Sequence, residues 1–276
     1  KKYLFQLKPV LDQWVSRMEV PAYIKDDPIQ FLHAFEDAEE INVAGFFAAT
    51  MAWGKRSIVI AKVDDLLSRM AYRPLDFMGN FTESDAHRLT GFKHRTFNSE
   101  DMYWLIKTMQ QILIHFTTFE AFWANCLTIS KAKNRPLMGV FHEKFFSFFP
   151  EIPARTRRHI SNPEKGGSCK RLYMYLRWTI RGGPVDVGSM NFMPPSQIYI
   201  PLDVHVARQS RKLGLITRNQ NDWKAVEELQ EQLLLLDPLD PSKYDYALFG
   251  LGLNPHWLDK KWILNHHLLN LFFYFY

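Results

Sequence analysis

Two runs carry the reading of this chain: S-C-K-R-L-Y-M-Y-L-R-W at 168–178 and I-P-L-D-V-H-V-A-R-Q-S-R-K-L-G-L at 200–215. A connection containing Gly and Pro separates them. Each run places a chemically able side chain at a helix start. Lys170 follows the turn Gly166-Gly167-Ser168, and Asp203 follows Pro201-Leu202. At helical spacing, Lys170, Met174, Arg177 and Trp178 share one face, and Leu172, Tyr173, Leu176 and Ile180 form another. A helix apolar on most sides packs inside a protein, which puts Lys170 at a pocket mouth rather than in bulk water. Loss of hydration there would favour the neutral, nucleophilic amine. An exposed lysine touching phosphate, or nothing, is the other reading. Asp203 is likewise open to two readings, as a helix N-cap or as a pocket carboxylate that accepts a proton, and one side chain can do both.

Periodicity elsewhere predicts an all-α protein of about ten helices. They are expected at Tyr3–Met18, Glu39–Trp53, Lys55–Met70, Phe119–Ser130, Leu137–Phe149, Ser168–Ile180, Asp203–Leu213, Asp222–Leu236 and Pro241–Leu251. A tenth, capped by Asn98 or Ser99 with Glu100 and Asp101 in its first turn, runs to about Phe116. Gln197–Ile200 is the only β-like run. Two helical lobes are expected, with residues 1–276 forming one unit and 152–215 carrying the chemistry. The terminal Leu268–Tyr276 is too short to span a bilayer and reads as a packing tail, with His266 and His267 beside it.

At 47% apolar and 15% aromatic the chain can build a sizeable core, which excludes a disordered class. Its two cysteines, Cys126 and Cys169, cannot ligate an iron–sulfur cluster or build a disulfide framework, and they fit a reducing cytosol. No secretory leader is read at the start, so a cytoplasmic, bacterial, monomeric protein is expected. Charge is concentrated. Between Glu151 and Arg171 stand Arg155, Arg157, Arg158, Lys165, Lys170 and Arg171 against two acids, +4 of the net +5. Such a cluster is either a solvated loop or a phosphate-binding surface. Ala52-Trp53-Gly54-Lys55-Arg56 sets a tryptophan beside a basic pair where one helix ends and another starts, and Phe92-Lys93-His94-Arg95-Thr96-Phe97 interleaves basic and aromatic residues, a weaker candidate for lining a base pocket. Trp53 can equally be a core residue beside a surface basic pair. His205 reads as structural or phosphate-facing. No His/Cys/Asp/Glu set has metal-ligand spacing.

P-L-D-V-H-V-A-R-x-x-R-K-L-G-L resembles the catalytic-aspartate segment of the helix–hairpin–helix DNA glycosylases, and the glycine hairpin before Lys170 resembles the element that supplies their Schiff-base lysine. The hairpin P-E-K-G-G-S-C-K departs from the L-P-G-V-G of the common branch. The separation of 33 positions between Lys170 and Asp203 is longer too, closer to the archaeal 8-oxoguanine glycosylase branch. The chain is also similar to a bacterial family carrying H-I-S-x-P-x-K-G-x-x-C-K-R-L. The resemblance implies a glycosylase fold with its active site between lobes, and Lys170 as nucleophile with Asp203 as its acid/base partner. It further implies base removal, of an oxidised purine such as 8-oxoguanine, with abasic-site lyase activity on double-stranded DNA. Gly166, Gly167 and Ser168, with the basic residues named above, would hold the DNA backbone. Trp53, His94 or Arg95 would sit at the base pocket or enter the duplex. No organic cofactor is expected, and hairpin carbonyls could hold a monovalent cation. A non-catalytic nucleic-acid-binding protein and a helical interaction protein are the competing classes.

Overall fold

A computed structural model describes residues 2–254, with side chains from Leu4 onward. The predicted tail and His266–His267 lie outside the described residues. α1 (Lys2–Met18), α2 (Ala38–Met51), α3 (Arg56–Arg69), α5 (Ser99–Phe116), α6 (Phe119–Lys133) and α7 (Leu137–Phe145) fall where periodicity puts them. So do α9 (Lys170–Ile180), α10 (Val204–Lys212), α11 (Trp223–Leu236) and α12 (Tyr244–Leu253). Two short helices, α4 (Pro74–Gly79) and α8 (Ala154–Arg157), are too brief to show a period.

Strand is confined, among the described residues, to a two-residue hairpin, β1 (Lys93–His94) against β2 (Phe97–Asn98). Gln197–Ile200 is not a strand. It leaves a 3-10 turn between Pro194 and Pro201, and finds no ladder partner. Ile198 and Ile200 are nevertheless fully buried, so the apolar signal came from the core rather than from a sheet.

Local chemistry sets the helix ends. Asp37 caps α2 through bonds from the Glu39 and Glu40 amides, and Asn98 with Asp101 closes a reciprocal box at α5. α2 is buried from Ile41 to Met51, as an apolar helix without a polar face must be. Phe46 at its centre meets Phe119, Phe145 and Tyr175 with ring centroids 5.3–6.0 Å apart. Each such fully buried ring stabilises the fold by about 1.5–3 kcal/mol. α2 packs on α4, α6 and α9, while α1 packs on α12 and α11, and α10 on α12. One contiguous core runs from Leu4 to Leu251. Cys126 and Cys169 are both free and buried in it. No single helix among the described residues is long and apolar enough to cross a membrane.

Candidate active site

Lys170 owes its position to the hairpin before it. Asn162 caps a 3-10 turn by accepting the Glu164 amide at 2.8 Å, and Gly166 turns the chain at φ +82°. Gly167 then passes so close to Ser161 and Asn162 that an added Cβ would lie 2.2 Å from Ser161 Oγ and 3.0 Å from the Asn162 carbonyl. Only glycine fits there. The Arg135 guanidinium grips the Glu164 carboxylate at 2.7 and 3.0 Å and ties the turn to the rest of the protein. Cys169 flips into the left-handed region at φ 53°, and the next residue, Lys170, begins α9.

Asp203 is the N-cap of α10, its Oδ1 accepting the His205 and Val206 amides, each at 2.8 Å. Both cap bonds use one oxygen. The cap explains why the residue is an acid, and its position does more. Lys170 and Asp203 line the same cavity, of about 380 Å³. The shared face read from the sequence, Lys170, Met174, Arg177 and Trp178, lines it as a set. Among the described residues the Lys170 ammonium has no hydrogen bond or ion pair. Trp53 comes from the α2–α3 link, Arg56 from the start of α3, Tyr23 and Asp27 from the 3-10 turns after α1, and Asp245, Tyr246 and Phe249 from α12. His205 lines it as well, with its Nδ1 unbonded and its ring edge-on to Phe249. The sequence reads His205 as structural or phosphate-facing; the chain crosses the cavity wall at the first turn of α10, so residues 203 and 205 both reach it.

The floor is buried and charged. Arg177 pairs with Asp245 and, at 3.3 Å, with Asp186. Arg181 binds Asp186 at 2.9 Å, Asp240 at 2.7 Å and both oxygens of Glu19. Tyr246 donates to Asp186 at 2.7 Å and lies under the Arg177 guanidinium, 4.2 Å from ring centre to Cζ. Burial pushes the Asp245 carboxyl up to about 7. Arg177 opposes that rise, and the negative charges of Asp203, Asp186 and Asp27 add to it. Burial also raises Asp27, against the pull of Arg56 at 3.6 Å.

The basic cluster divides. An open groove lined by Trp53, Thr96, Arg155, Arg158, Lys170 and Arg171 adjoins the cavity, sharing Trp53, Lys170 and Arg171 with it. Within the groove Arg158 is exposed and bonded to nothing among the described residues. Lys165 and Lys55 are exposed and unpaired in the same sense. The other arginines are occupied. Arg155 holds Asp101 at 2.8 and 2.9 Å, and Arg157 donates to the carbonyls of Ile152 and Pro150. Arg171 donates to the carbonyls of Thr50 and His159, and burial lowers it to about 10. Arg56 spends its charge on Asp27 and on the rings of Tyr23 and Phe249.

His94, expected at the base pocket or the duplex, faces inward. It is buried, bonds the Met51 carbonyl at 2.9 Å and lines neither cavity nor groove. Arg95, at the hairpin tip with φ 54°, also stays out of the cavity, but stacks on Trp53 at 4.5 Å. Trp53 is half-buried between cavity and groove, its Nε1 unbonded among the described residues. Sequence reasoning missed Tyr23, Asp27, Asp245, Tyr246 and Phe249. Asp245 did carry a signal, since it is the only charged residue in the otherwise apolar α12. Among the described residues no group of three or more His, Cys, Asp or Glu is arranged to hold a metal ion.

The family model described as a protein of unknown function, DUF2400, matches residues 27–254, and the chain belongs to that family. Of the cavity-lining residues just named, only Tyr23 falls outside that match. No curated protein and no solved structure matches the chain.

Proposed function

We propose that this member of the DUF2400 family is a DNA base-excision glycosylase with associated abasic-site lyase activity, acting on an oxidised purine of the 8-oxoguanine type. The observation that carries the reading is the meeting of Lys170 and Asp203 at one cavity beside a groove with free positive charge. The likeness of their two sequence segments to those of the helix–hairpin–helix glycosylases supports it. A volume of about 380 Å³ falls within the roughly 300–1,000 Å³ of small-ligand sites. The aromatic walls, Trp53, Trp178, Tyr246 and Phe249, give flat faces for an everted base. Everting a nucleotide costs a few kcal/mol, which stacking and hydrogen bonds in the pocket offset.

In this scheme the α1/α10–α12 group and the α2–α7 group act as the two lobes, with duplex DNA along the groove. Arg158, Lys165 and Lys55 pair with phosphates, which makes affinity fall steeply with salt. Asp203 takes a proton from Lys170. The freed amine bonds C1′ of the sugar as the glycosidic bond breaks, and its electron pair leaves with the base. Ring opening gives an imine, and loss of the C2′ proton expels the 3′ phosphate by β-elimination. No organic cofactor enters.

Borohydride trapping on a duplex containing an abasic site tests this. A covalent adduct is expected with the native protein, and a loss of at least 10³-fold with Lys170→Gln, since removal of a covalent nucleophile removes the step itself. Duplex affinity should stay within a few-fold. If the native protein traps nothing yet binds duplex with a steep salt dependence, it is a nucleic-acid-binding protein and not this enzyme.

A further inference from the structure

We infer that Asp245 is a second proton-handling residue of this cavity, giving its proton to the departing base while Asp203 takes the proton of Lys170; the inference rests on the glycosylase reading above. The two carboxyls occupy one cavity in opposite settings. Asp203 is half-buried and accepts two backbone amides at a helix start, a setting made for a carboxylate anion. Asp245 is buried in the first turn of α12, where its carboxyl bonds the Arg177 guanidinium and no other side chain among the described residues. One carboxyl on a helix cap and one buried against an arginine, both lining one cavity, are differently set groups of the kind that acid/base chemistry at one site uses.

The charges facing Asp245 come from every element around it. α9 presents Lys170 and Arg177, with Arg181 behind, and the start of α10 presents Asp203 and His205. Asp186 lies in the loop after α9, Arg56 on α3, and Tyr23 with Asp27 in the turns after α1. Tyr246 neighbours it on α12. Arg177 is already divided between Asp245 and Asp186. Ionising Asp245 therefore places a third negative charge beside Asp203 and Asp27, and the held proton avoids that. Its position at about 7 agrees.

The step balances. The Lys170 ammonium passes one proton to Asp203, and its lone pair forms the N–C1′ bond. The C1′–N bond to the base breaks, the base keeps the electron pair, and the Asp245 proton neutralises it. The new secondary ammonium sheds its proton to solvent, and Asp245 is left as a carboxylate that solvent re-protonates. Asp203 gives its proton to the sugar ring oxygen as the ring opens to the imine.

A preformed abasic site has no base to lose, so it bypasses Asp245's role and separates the two claims. With native protein, excision of 8-oxoguanine from a duplex should fall between pH 6 and pH 8, because the proton-bearing form declines as pH rises through about 7. Abasic-site trapping should show no such decline. In Asp245→Asn, excision should drop about 10²–10⁴-fold, the usual worth of a positioned proton donor, and at least tenfold more than trapping does. Equal losses of excision and trapping would make Asp245 structural and overturn the inference. A native excision rate flat or rising from pH 6 to pH 8 overturns it without any variant. Native protein that neither traps nor excises refutes the enzyme reading, and the inference falls with it.

Discussion

At the mouth of the cavity, Lys170 and Asp203 are placed by their own neighbours: a glycine turn and a left-handed Cys169 for one, a helix cap for the other. At the floor, Arg177 and Asp245 are 68 positions apart, and Arg181 and Glu19 are 162 apart. The mouth is local geometry, half-exposed and lightly bonded. The floor is tertiary geometry, buried and fully engaged. This division fits the mouth for covalent chemistry and the network of Arg181, Glu19, Asp186 and Asp240 for holding it in register, with Asp245 the one floor residue proposed to exchange a proton. Side chains with few obligations can exchange protons and covalent partners, and buried ion networks lose much when one member goes.

Asp203→Asn breaks the comparison most sharply at the mouth. Asparagine caps a helix as well as aspartate does, so the fold should stay within about 1 kcal/mol of the native protein. It cannot take a proton from Lys170, so single-turnover excision should drop about 10²–10⁴-fold. A urea melt and an excision time course on the same preparation check both. Full activity would leave Asp203 a cap and nothing more.

Arg177→Met tests the floor, with the emphasis reversed. Its removal leaves Asp245 without its partner in the interior, a cost of about 3–5 kcal/mol where the carboxyl is ionised. The sign of the pH dependence follows from the carboxyl. Asp245 sits above its ordinary 3.8 because burial and neighbouring negative charges outweigh the pull of Arg177. Without that pull the folded state holds the proton more tightly than the unfolded chain, so stability falls as pH rises through that interval. The loss in the variant should therefore be larger at pH 8 than at pH 5, read from denaturant midpoints at the two values. A loss independent of pH would mean that Arg177 matters for packing alone.

This contrast also explains what could be read from the sequence. Helix positions followed from periodicity and caps, and the face Lys170–Met174–Arg177–Trp178 was visible because α9 obeys a 3.6-residue repeat. Asp203 was visible because capping is local. The place of His205 in the cavity wall was not visible although it is only two residues on, because the path of the first turn depends on α12, where Gly252 lies so close that an added Cβ would sit 2.9 Å from His205 Cβ. His94 looked like a site residue because basic and aromatic side chains alternate around it, yet its ring bonds the carbonyl that ends α2. Asp27 and Asp245 belong to segments more than 200 positions apart, so no local pattern joins them. The hint for Asp245 was thermodynamic: an acid in an apolar helix must find a partner.

The basic cluster offers the smallest and cleanest contrast, because two adjacent arginines of like chemistry have opposite duties. Arg157 donates to the Ile152 and Pro150 carbonyls at 3.0 and 2.9 Å and covers the Phe146 ring, while Arg158 projects unpaired into the groove. Arg157→Ala should leave two carbonyls unmet and cost about 1–3 kcal/mol in a thermal or urea melt. Its effect on duplex affinity should be no more than that loss of stability brings. Arg158→Ala should leave stability within about 0.5 kcal/mol. It should weaken duplex binding across sequences and make the slope of log affinity against log salt shallower by about one unit, the signature of one phosphate contact removed. If the two variants exchanged these behaviours, the groove would not be the path of the nucleic-acid backbone, even with the cavity chemistry intact.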